Sequence, residues 1–275
     1  MPLRLFLILA GASSVQGSCY WWARRHRSHH RYTDTDKDPY NAKRGFFWTH
    51  VGWMIFKTDL RPGPVDLTDL RNDVLVQWQH RWYGTNLTIW GFVLPTVIPG
   101  VFWGDWWGGL CFVSGLRMTV GHHVSCHPPL VECRELIAAS QSVFCVNSLA
   151  HYLGEASYDD KHSPRDHLLS AILTLGEGYH NFHHQFPMDY RNAYMWYQWD
   201  PTKWFIALCG FLGLAHNLRK FPNNEIGKGK LMMRLKKLKD VQDSLGWPLP
   251  VNDLPVVTWE ACESRRLFGR TKRRC

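Results

Sequence analysis

Histidine is the residue type in this chain whose spacing most clearly predicts chemistry. The 275 residues contain 15 histidines, and six of them form two copies of one pattern, His26-Arg-Ser-His29-His30 and His180-Asn-Phe-His183-His184. Positions i, i+3 and i+4 of an α-helix share one face, so each copy is expected to aim three imidazoles at one point. Imidazole nitrogen binds iron, zinc and copper. Two copies about 150 residues apart therefore predict a shared metal centre rather than a chance cluster.

Acidic residues lie close to both histidine patterns and are candidates for orienting them. A carboxylate that accepts the second ring N–H of a ligating histidine fixes the tautomer and direction of that ring. The four candidates are Asp34, Asp36, Glu177 and Asp189. The alternative for each of them is an ordinary surface acid or a helix cap.

Two apolar stretches are expected to hold the histidine-bearing helices at a membrane. They run from Leu87 to Trp103 and from Trp106 to Val120, with Gly104-Asp105 between them. Each approaches the ~20 residues that span a hydrocarbon core, although Arg117 interrupts the second. Tryptophans near their ends suit the membrane interface. The sequence predicts a transmembrane helical hairpin, and a buried hairpin in a soluble protein is the alternative.

The composition resembles that of a membrane enzyme more than that of an evenly amphipathic protein. Hydrophobic residues make up 45% and aromatic residues 14%, yet the mean hydropathy is −0.29. The net charge of +9 is compatible with nucleic acid or with an anionic membrane surface. Because the basic residues flank apolar segments, the positive-inside rule explains them better, and no nucleic-acid partner is expected.

The cysteines and the N-terminal segment bear on the cellular compartment. Eight cysteines without a CxxC pair indicate reduced thiols, and neither a disulfide scaffold nor a zinc ribbon. Met1 to Ala12 has the basic residue and short apolar region of a signal peptide, which would predict secretion. The lack of a disulfide pattern argues against that interpretation.

Three segments resemble, in order, the second histidine box, the following loop and the third histidine box of the fungal acyl-CoA delta-9 desaturases. They are residues 26–54 (HRSHHRYTDTDKDPYNAKRGFFWTHVGWM), 144–167 (FCVNSLAHYLGEASYDDKHSPRDH) and 176–205 (GEGYHNFHHQFPMDYRNAYMWYQWDPTKWF). The resemblance extends from about residue 2 to residue 259. It implies an all-α integral membrane fold with a cytosolic helical cap that carries a histidine-ligated di-iron centre.

The resemblance also implies site residues, position by position. Arg24 and Lys57 match basic positions that hold the phosphates and pantetheine end of CoA, and Asn147 matches an asparagine that reaches the metal through water. The implied iron ligands are His26, His29, His30, His151, His180, His183 and His184. Seven of the other eight histidines are expected to be structural: His50, His80, His122, His123, His162, His167 and His216.

The activity implied by the resemblance is the introduction of a cis double bond at the delta-9 position of palmitoyl-CoA or stearoyl-CoA. The reaction uses O2 and electrons from cytochrome b5 and its NADH-dependent reductase. The implied location is the endoplasmic reticulum membrane, with several spans and the active site facing the cytosol. The alternatives are a di-iron lipid hydroxylase and a non-catalytic desaturase-like membrane protein, or the product of a faulty gene prediction.

The sequence departs from the family pattern in three respects. Family members carry an earlier box of the form HRLWAHR with two more iron ligands, and fungal members commonly continue into a cytochrome b5 domain; neither is found here. Residues 124–141 interrupt an otherwise continuous GHHSVFCVNSLAH. Val124-Ser125 at the start of this segment can be encoded by a splice-donor sequence, and Gln141 at its end by a splice-acceptor sequence. We interpret this segment as a retained intron translated in frame, with a small metal site at Cys126, His127 and Cys133 as the alternative. The chain as written is therefore expected to be catalytically impaired.

The expected organisation has six segments. The cytosolic ones are 19–86, with the first HxxHH pattern, and 142–240, with NSLAH and the second pattern. Between them lie a transmembrane hairpin (87–123) and the inserted segment (124–141). The ends are the remnant of a transmembrane helix (1–18) and a basic tail (241–275).

Overall fold

The structure is a computed structural model that describes residues 2–14, 16–56, 61–111 and 146–246. The chain divides into two compact units, Met1–Met233 and Arg234–Cys275, and every predicted ligand lies in the first. Several sites of sequence-based predictions lie outside the described residues: Lys57, the end of the second apolar stretch (112–120), His122, His123, the inserted segment (124–141) and the tail beyond residue 246.

The regular secondary structure of the described residues is helical, and their only β-type pairing consists of isolated bridges. The prediction of an all-helical protein is thereby confirmed. The α-helices are α1 (Pro2–Ser13), α2 (Cys19–Tyr32), α3 (Trp53–Ile55), α4 (Thr68–Arg71), α5 (Val74–Arg81), α6 (Tyr83–Leu87), α7 (Leu94–Trp103), α8 (Trp106–Gly108), α9 (Leu149–Tyr152), α10 (Leu168–Leu173), α11 (His180–Gln185), α12 (Pro201–Phe211) and α13 (Asn223–Leu245). A 3-10 turn spans Ala42–Arg44, and π-helical turns span Trp48–Gly52 and Thr88–Val93.

Helix α2, which carries the first histidine pattern, is fixed at its N-terminus by polar contacts. The Ser18 hydroxyl accepts a hydrogen bond from the Trp21 backbone N–H, which satisfies one of the free donors of the first helical turn. The same hydroxyl lies 2.6 Å from His80 Nδ1, and the Cys19 N–H donates to the buried Gln79 Oε1 over 3.0 Å. These bonds anchor α2 on α5 and set the direction in which its imidazoles project.

Among the residues that the structure describes, one continuous helical stretch is long and apolar enough to cross a membrane, judged by length and composition. It runs over Tyr83–Trp103, through α6, the second π-helical turn and α7, and has 21 residues. At 1.5 Å per residue it is about 31 Å long, close to the thickness of a hydrocarbon core. It begins four residues before the predicted start at Leu87, and within this additional turn the Asn86 amide donates to the Trp82 carbonyl over 2.9 Å.

A tight turn follows this stretch at Gly104-Asp105. Gly104 adopts the left-handed conformation (φ +70°) that ends α7, and the Asp105 carboxylate caps α8 by accepting from the Gly108 N–H over 2.7 Å. A side chain added at Gly109 would lie 2.7 Å from the Thr96 carbonyl oxygen. The chain after the turn therefore packs directly along α7 as far as the described residues extend.

The segment from α9 to α11 is held together by backbone hydrogen bonds rather than by long helices. The Arg165 N–H donates to the Ala150 carbonyl over 2.7 Å, and the Arg165 carbonyl accepts from the His180 N–H over 3.2 Å. A second pair of bonds links Glu155 and Asp166 in both directions. The extended backbone at Arg165 thus places α9 beside the start of α11.

A small aromatic core lies behind α11. Phe182, between two of the histidines of this helix, is 1% exposed and packs with Tyr158, Phe186 and Ile226. Replacing a buried phenylalanine by alanine costs about 3–5 kcal/mol, so this packing contributes strongly to holding α11 in place. The histidines on its opposite side face α2.

Candidate metal centre

Helices α2, α9 and α11 carry the candidate ligands, and side-chain hydrogen bonds hold the first turn of α11. Helix α11 is short, and the Asp166 carboxylate accepts from the backbone N–H groups of Asn181 (3.0 Å) and Phe182 (3.2 Å) in its first turn. Burial raises the pKa of Asp166 to about 6, against the lowering effect of those donors. The third helix, α9, is the single turn that carries His151.

Seven imidazoles from α2, α9 and α11 come together in two groups. Within each group the candidate ligand atoms lie within 4.8 Å of one another. The four-histidine group consists of His29, His151, His180 and His184, and the three-histidine group consists of His26, His30 and His183. Every histidine that the family resemblance implied as a ligand belongs to one of these groups.

The structure corrects one expectation, because the three imidazoles of a box do not aim at one point. In the first box the i and i+4 histidines, His26 and His30, join one group and His29 joins the other. The second box divides in the same way but with the groups exchanged. On a helix, i+4 is rotated about 40° from i, whereas i+3 is rotated about 60° to the opposite side. The i+3 ring therefore diverges from the other two.

The nitrogen separations in the four-histidine group are those of ligands on one ion. His180 Nε2 lies 3.1 Å from His151 Nε2 and 3.0 Å from His184 Nε2. With metal–nitrogen bonds of about 2.1 Å, two imidazole ligands at right angles have nitrogens about 3.0 Å apart. His29 Nε2 is buried with no hydrogen-bond partner among the described residues. These atoms fit a cation and fit direct hydrogen bonding poorly.

The three-histidine group has a similar geometry but one ligand nitrogen fewer. His30 Nε2 lies 3.1 Å from both His26 Nε2 and His183 Nε2, and the latter two are 3.5 Å apart. The rings of His26 and Trp22 stack at 4.6 Å. The residues of this group are half-buried, whereas three members of the four-histidine group are fully buried.

Hydrogen-bond acceptors behind the four-histidine group fix which nitrogen faces inwards. His29 Nδ1 lies 2.8 Å from the carboxylate of Asp38, which can only accept, so the ring proton is on Nδ1 and Nε2 is free to bind a metal. The Thr33 hydroxyl donates to the His29 carbonyl over 2.7 Å and lies 3.2 Å from His184 Nδ1. Because its proton is used, it accepts from His184.

Electrostatics favour the neutral, ligating form of six of the seven rings. Burial, assisted by the neighbouring imidazoles, lowers the pKa of His183 to about 4. The same causes hold the pKa well below its usual value for His26, His30, His151, His180 and His184. A neutral imidazole keeps the lone pair that a metal ion requires.

Of the predicted orienting acids, Asp34 lies behind a ligand, although not in direct contact with it. Its carboxylate accepts from the hydroxyl and the backbone N–H of Ser163, and the Ser163 hydroxyl lies 2.7 Å from His151 Nδ1. Asp34 therefore reaches the metal centre through one intervening side chain.

The other three predicted acids do not contact a ligand. Asp36 and Glu177 are exposed, and Asp189 forms an ion pair with Arg191 over 2.7 Å. The acid that binds a ligand directly is Asp38, which sequence analysis missed. Its signal is its place in the acidic run after the first box, but the sequence does not show which of those carboxylates turns inwards.

The remaining predicted site residues are dispersed. Asn147 is half-buried four residues before His151, and Arg24 is exposed on α2 two residues before His26. Their roles in metal and CoA binding stay predictions, as does that of Lys57, which lies outside the described residues.

The histidines expected to be structural lie outside both groups where the structure describes them. His50 Nδ1 lies 2.9 Å from Ser148 Oγ, and His167 Nδ1 lies 2.9 Å from Ser170 Oγ. His216 is exposed. These positions provide control sites for substitutions in the metal centre.

Comparison with known proteins places this histidine arrangement in a family. The family model described as fatty acid desaturase matches residues 2–217. The chain belongs to the fatty acid desaturase family. The resemblance inferred from the histidine boxes is confirmed at this level.

Relatives within the desaturase family include fungal and mammalian proteins. The chain is 44% identical over 260 residues to a probable acyl-CoA desaturase of Schizosaccharomyces pombe. The aligned residues make up 94% of this chain and 50% of the relative. It is 43% identical to acyl-CoA desaturase 1 of Saccharomyces cerevisiae (93% and 47%) and 36% identical to human stearoyl-CoA desaturase (87% and 62%). The chain thus spans about half the length of the fungal relatives that it matches.

Proposed function

We propose that this protein is an acyl-CoA desaturase that introduces a cis double bond at the delta-9 position of saturated acyl-CoA, palmitoyl-CoA or stearoyl-CoA. The observation that carries the proposal is the convergence of seven imidazoles, from three helices, into two groups. Similar proteins of the same family are named acyl-CoA and stearoyl-CoA desaturases. Two metal sites side by side suit a reaction that uses two electrons and O2.

The proposed metal is iron, bound as two ions. His29, His151, His180 and His184 would hold one ion, with Asn147 contributing through water, and His26, His30 and His183 would hold the other. When bound and reduced, iron supplies the reactivity towards O2 that is needed to remove hydrogen from an unactivated methylene. The contribution of the chain is to fix the orientation of the imidazoles and to shield them from bulk water, most completely in the four-histidine group.

The proposed partners follow from the same family assignment. The substrate is a fatty acyl-CoA, and Arg24 and Lys57 would attract its phosphates by charge. Arg24 lies exposed just before the first box, where an anionic headgroup could rest while the acyl chain passes the histidines. Cytochrome b5 and its NADH-dependent reductase would supply the electrons.

The proposed location is the endoplasmic reticulum membrane, with both histidine boxes facing the cytosol. The 21-residue helical stretch Tyr83–Trp103 supports it. A second apolar surface, formed by α12 and the loop before it, exposes Trp196 (81%) and Phe211 (87%), side chains that suit a lipid interface. Release of the protein into the soluble fraction by alkaline carbonate would contradict this location.

The activity is tested by complementation of cells that lack their own delta-9 desaturase. Loss of one ligand opens a coordination position without unpacking a helix, so His30→Ala and His183→Ala should abolish any double-bond formation that the unmodified chain supports. His216→Ala, at an exposed histidine, is the matched control and should retain that activity. Gas chromatography of the cellular fatty acids provides the measurement.

Other products of the same experiment would favour other functions. Hydroxylated acyl chains would indicate a lipid hydroxylase. Purified protein without bound iron, together with no new product, would indicate a non-catalytic member of the family. Substantial desaturation by either ligand variant would contradict the assignment of the histidines.

A further inference from the structure

Asp34 occupies an unusual position behind the four-histidine group. It is buried, 6% exposed, and its backbone is left-handed, with φ of +63°. Asp and Asn tolerate this conformation better than other residues with a side chain. The Asp34 N–H donates to the Asp38 carboxylate over 3.1 Å. The turn therefore directs the Asp38 carboxylate to His29 and the Asp34 carboxylate to Ser163.

The hydrogen bonds around Ser163 have only one consistent direction. A carboxylate oxygen accepts and cannot donate, so the single proton of the Ser163 hydroxyl is directed to Asp34. The Ser163 backbone N–H donates to the other carboxylate oxygen over 2.6 Å. With its proton used, the Ser163 oxygen must accept from His151 Nδ1, which lies 2.7 Å away.

This direction determines the tautomer of His151. A ring proton on Nδ1 leaves the lone pair on Nε2, the atom that faces His180 Nε2 at 3.1 Å. We propose that Asp34 is a positioning residue that, through Ser163, holds His151 as the Nδ1–H tautomer and so presents Nε2 to a metal ion. The consequence for metal binding rests on the proposed function, whereas the tautomer itself does not.

Asparagine at position 34 should reverse the direction of this chain of hydrogen bonds. It keeps the size of the side chain and tolerates the left-handed backbone. Its amide oxygen must face the Ser163 N–H, because two donors cannot face each other, so its NH2 group faces the Ser163 oxygen. The Ser163 hydroxyl is then free to donate to His151 Nδ1, which moves the ring proton to Nε2.

The first measurement is the 15N chemical shifts of labelled histidine in the full chain, freed of metal by chelation in detergent. A His151→Gln variant identifies the His151 resonances by their disappearance. The unmodified chain should show His151 as the Nδ1–H tautomer, and Asp34→Asn should show it as Nε2–H. An Nε2–H tautomer in the unmodified chain, or an unchanged tautomer in Asp34→Asn, would overturn the proposal.

The second measurement is Co2+ titration of the same proteins. Asp34→Asn and Ser163→Ala should bind Co2+ about 10–100-fold more weakly at the four-histidine group, the range found when such supporting partners are lost. Ser163→Thr keeps the hydroxyl and should restore binding, and Asp36→Asn, at the exposed neighbouring acid, should leave it unchanged. If the unmodified chain binds no Co2+, the proposed metal function fails while the tautomer still decides the role of Asp34.

Discussion

At the scale of single residues, burial distinguishes the acid that orients a ligand from an acid at the surface. The Asp38 carboxylate is fully buried and accepts from His29 Nδ1 and from the Tyr40 N–H over 2.9 Å. Asp38→Ala should weaken Co2+ binding at the four-histidine group about 10–100-fold. It should also destabilise the protein by about 1–3 kcal/mol for each buried donor left without an acceptor. Metal titration and thermal unfolding in detergent measure the two effects.

The matched control is an acid with an equally good ion pair in solvent. Asp69 binds the guanidinium of Arg27 through two bonds of 2.7 and 2.6 Å, but the Asp69 side chain is 62% exposed and the Arg27 side chain 39% exposed. Asp69→Ala should cost less than about 1 kcal/mol and leave metal affinity unchanged. Equal effects of the two substitutions would show that burial is not the deciding factor.

The seven clustered histidines were predictable from their spacing and from the resemblance, because ligands are set by residue type and local geometry. Their division into two groups was not predicted, since it depends on how α2 and α11 face each other across about 150 residues of chain. The roles of Asp38 and Ser163 likewise depend on loop paths. Of the four predicted acids, only Asp34 is connected to a ligand, and the connection runs through Ser163.

At the scale of elements, close backbone packing positions α11. A Cβ added at Gly178 would lie 2.1 Å from the Ala171 backbone nitrogen and 2.4 Å from the Ser170 carbonyl carbon. Gly178→Ala should therefore push the start of α11 away from α10 and destabilise the protein by about 1–3 kcal/mol. Thermal unfolding and Co2+ binding should both report the change, although Gly178 is not a ligand.

A glycine in open space provides the comparison. Gly227 lies within α13 with nothing within 4 Å of an added Cβ. Gly227→Ala should stabilise the protein by up to about 1 kcal/mol, because alanine has the higher helix propensity. Destabilisation by both substitutions to the same degree would contradict the packing explanation.

At the scale of the whole molecule, the two metal sites should differ in affinity. One has four histidines, three of them buried, and the other has three half-buried histidines. Titration of the metal-free chain with Co2+ should show a tighter and a weaker site. His151→Ala should weaken the tighter one and His26→Ala the weaker one, and two sites of equal affinity in the unmodified chain would contradict this ranking.

The inserted segment also belongs to this scale. Residues 124–141 lie between the second apolar stretch and Asn147, outside the described residues. If they derive from a retained intron, their deletion should restore the spacing of the family and raise desaturation in complementing cells. The unmodified chain assayed in parallel is the control, and equal or lower activity of the deletion variant would count against this origin.

The opposite division of the two histidine boxes determines how α2 and α11 can be aligned. Each helix gives two rings to one group and one ring to the other, in reverse order. A shift of one residue along either helix moves its rings by about 1.5 Å and turns them by about 100°. Such a shift would separate the ligand nitrogens in both groups at once. Occupied metal sites would therefore lock the two helices into a single register, and any motion that opens the site would have to tilt the helices apart rather than slide them.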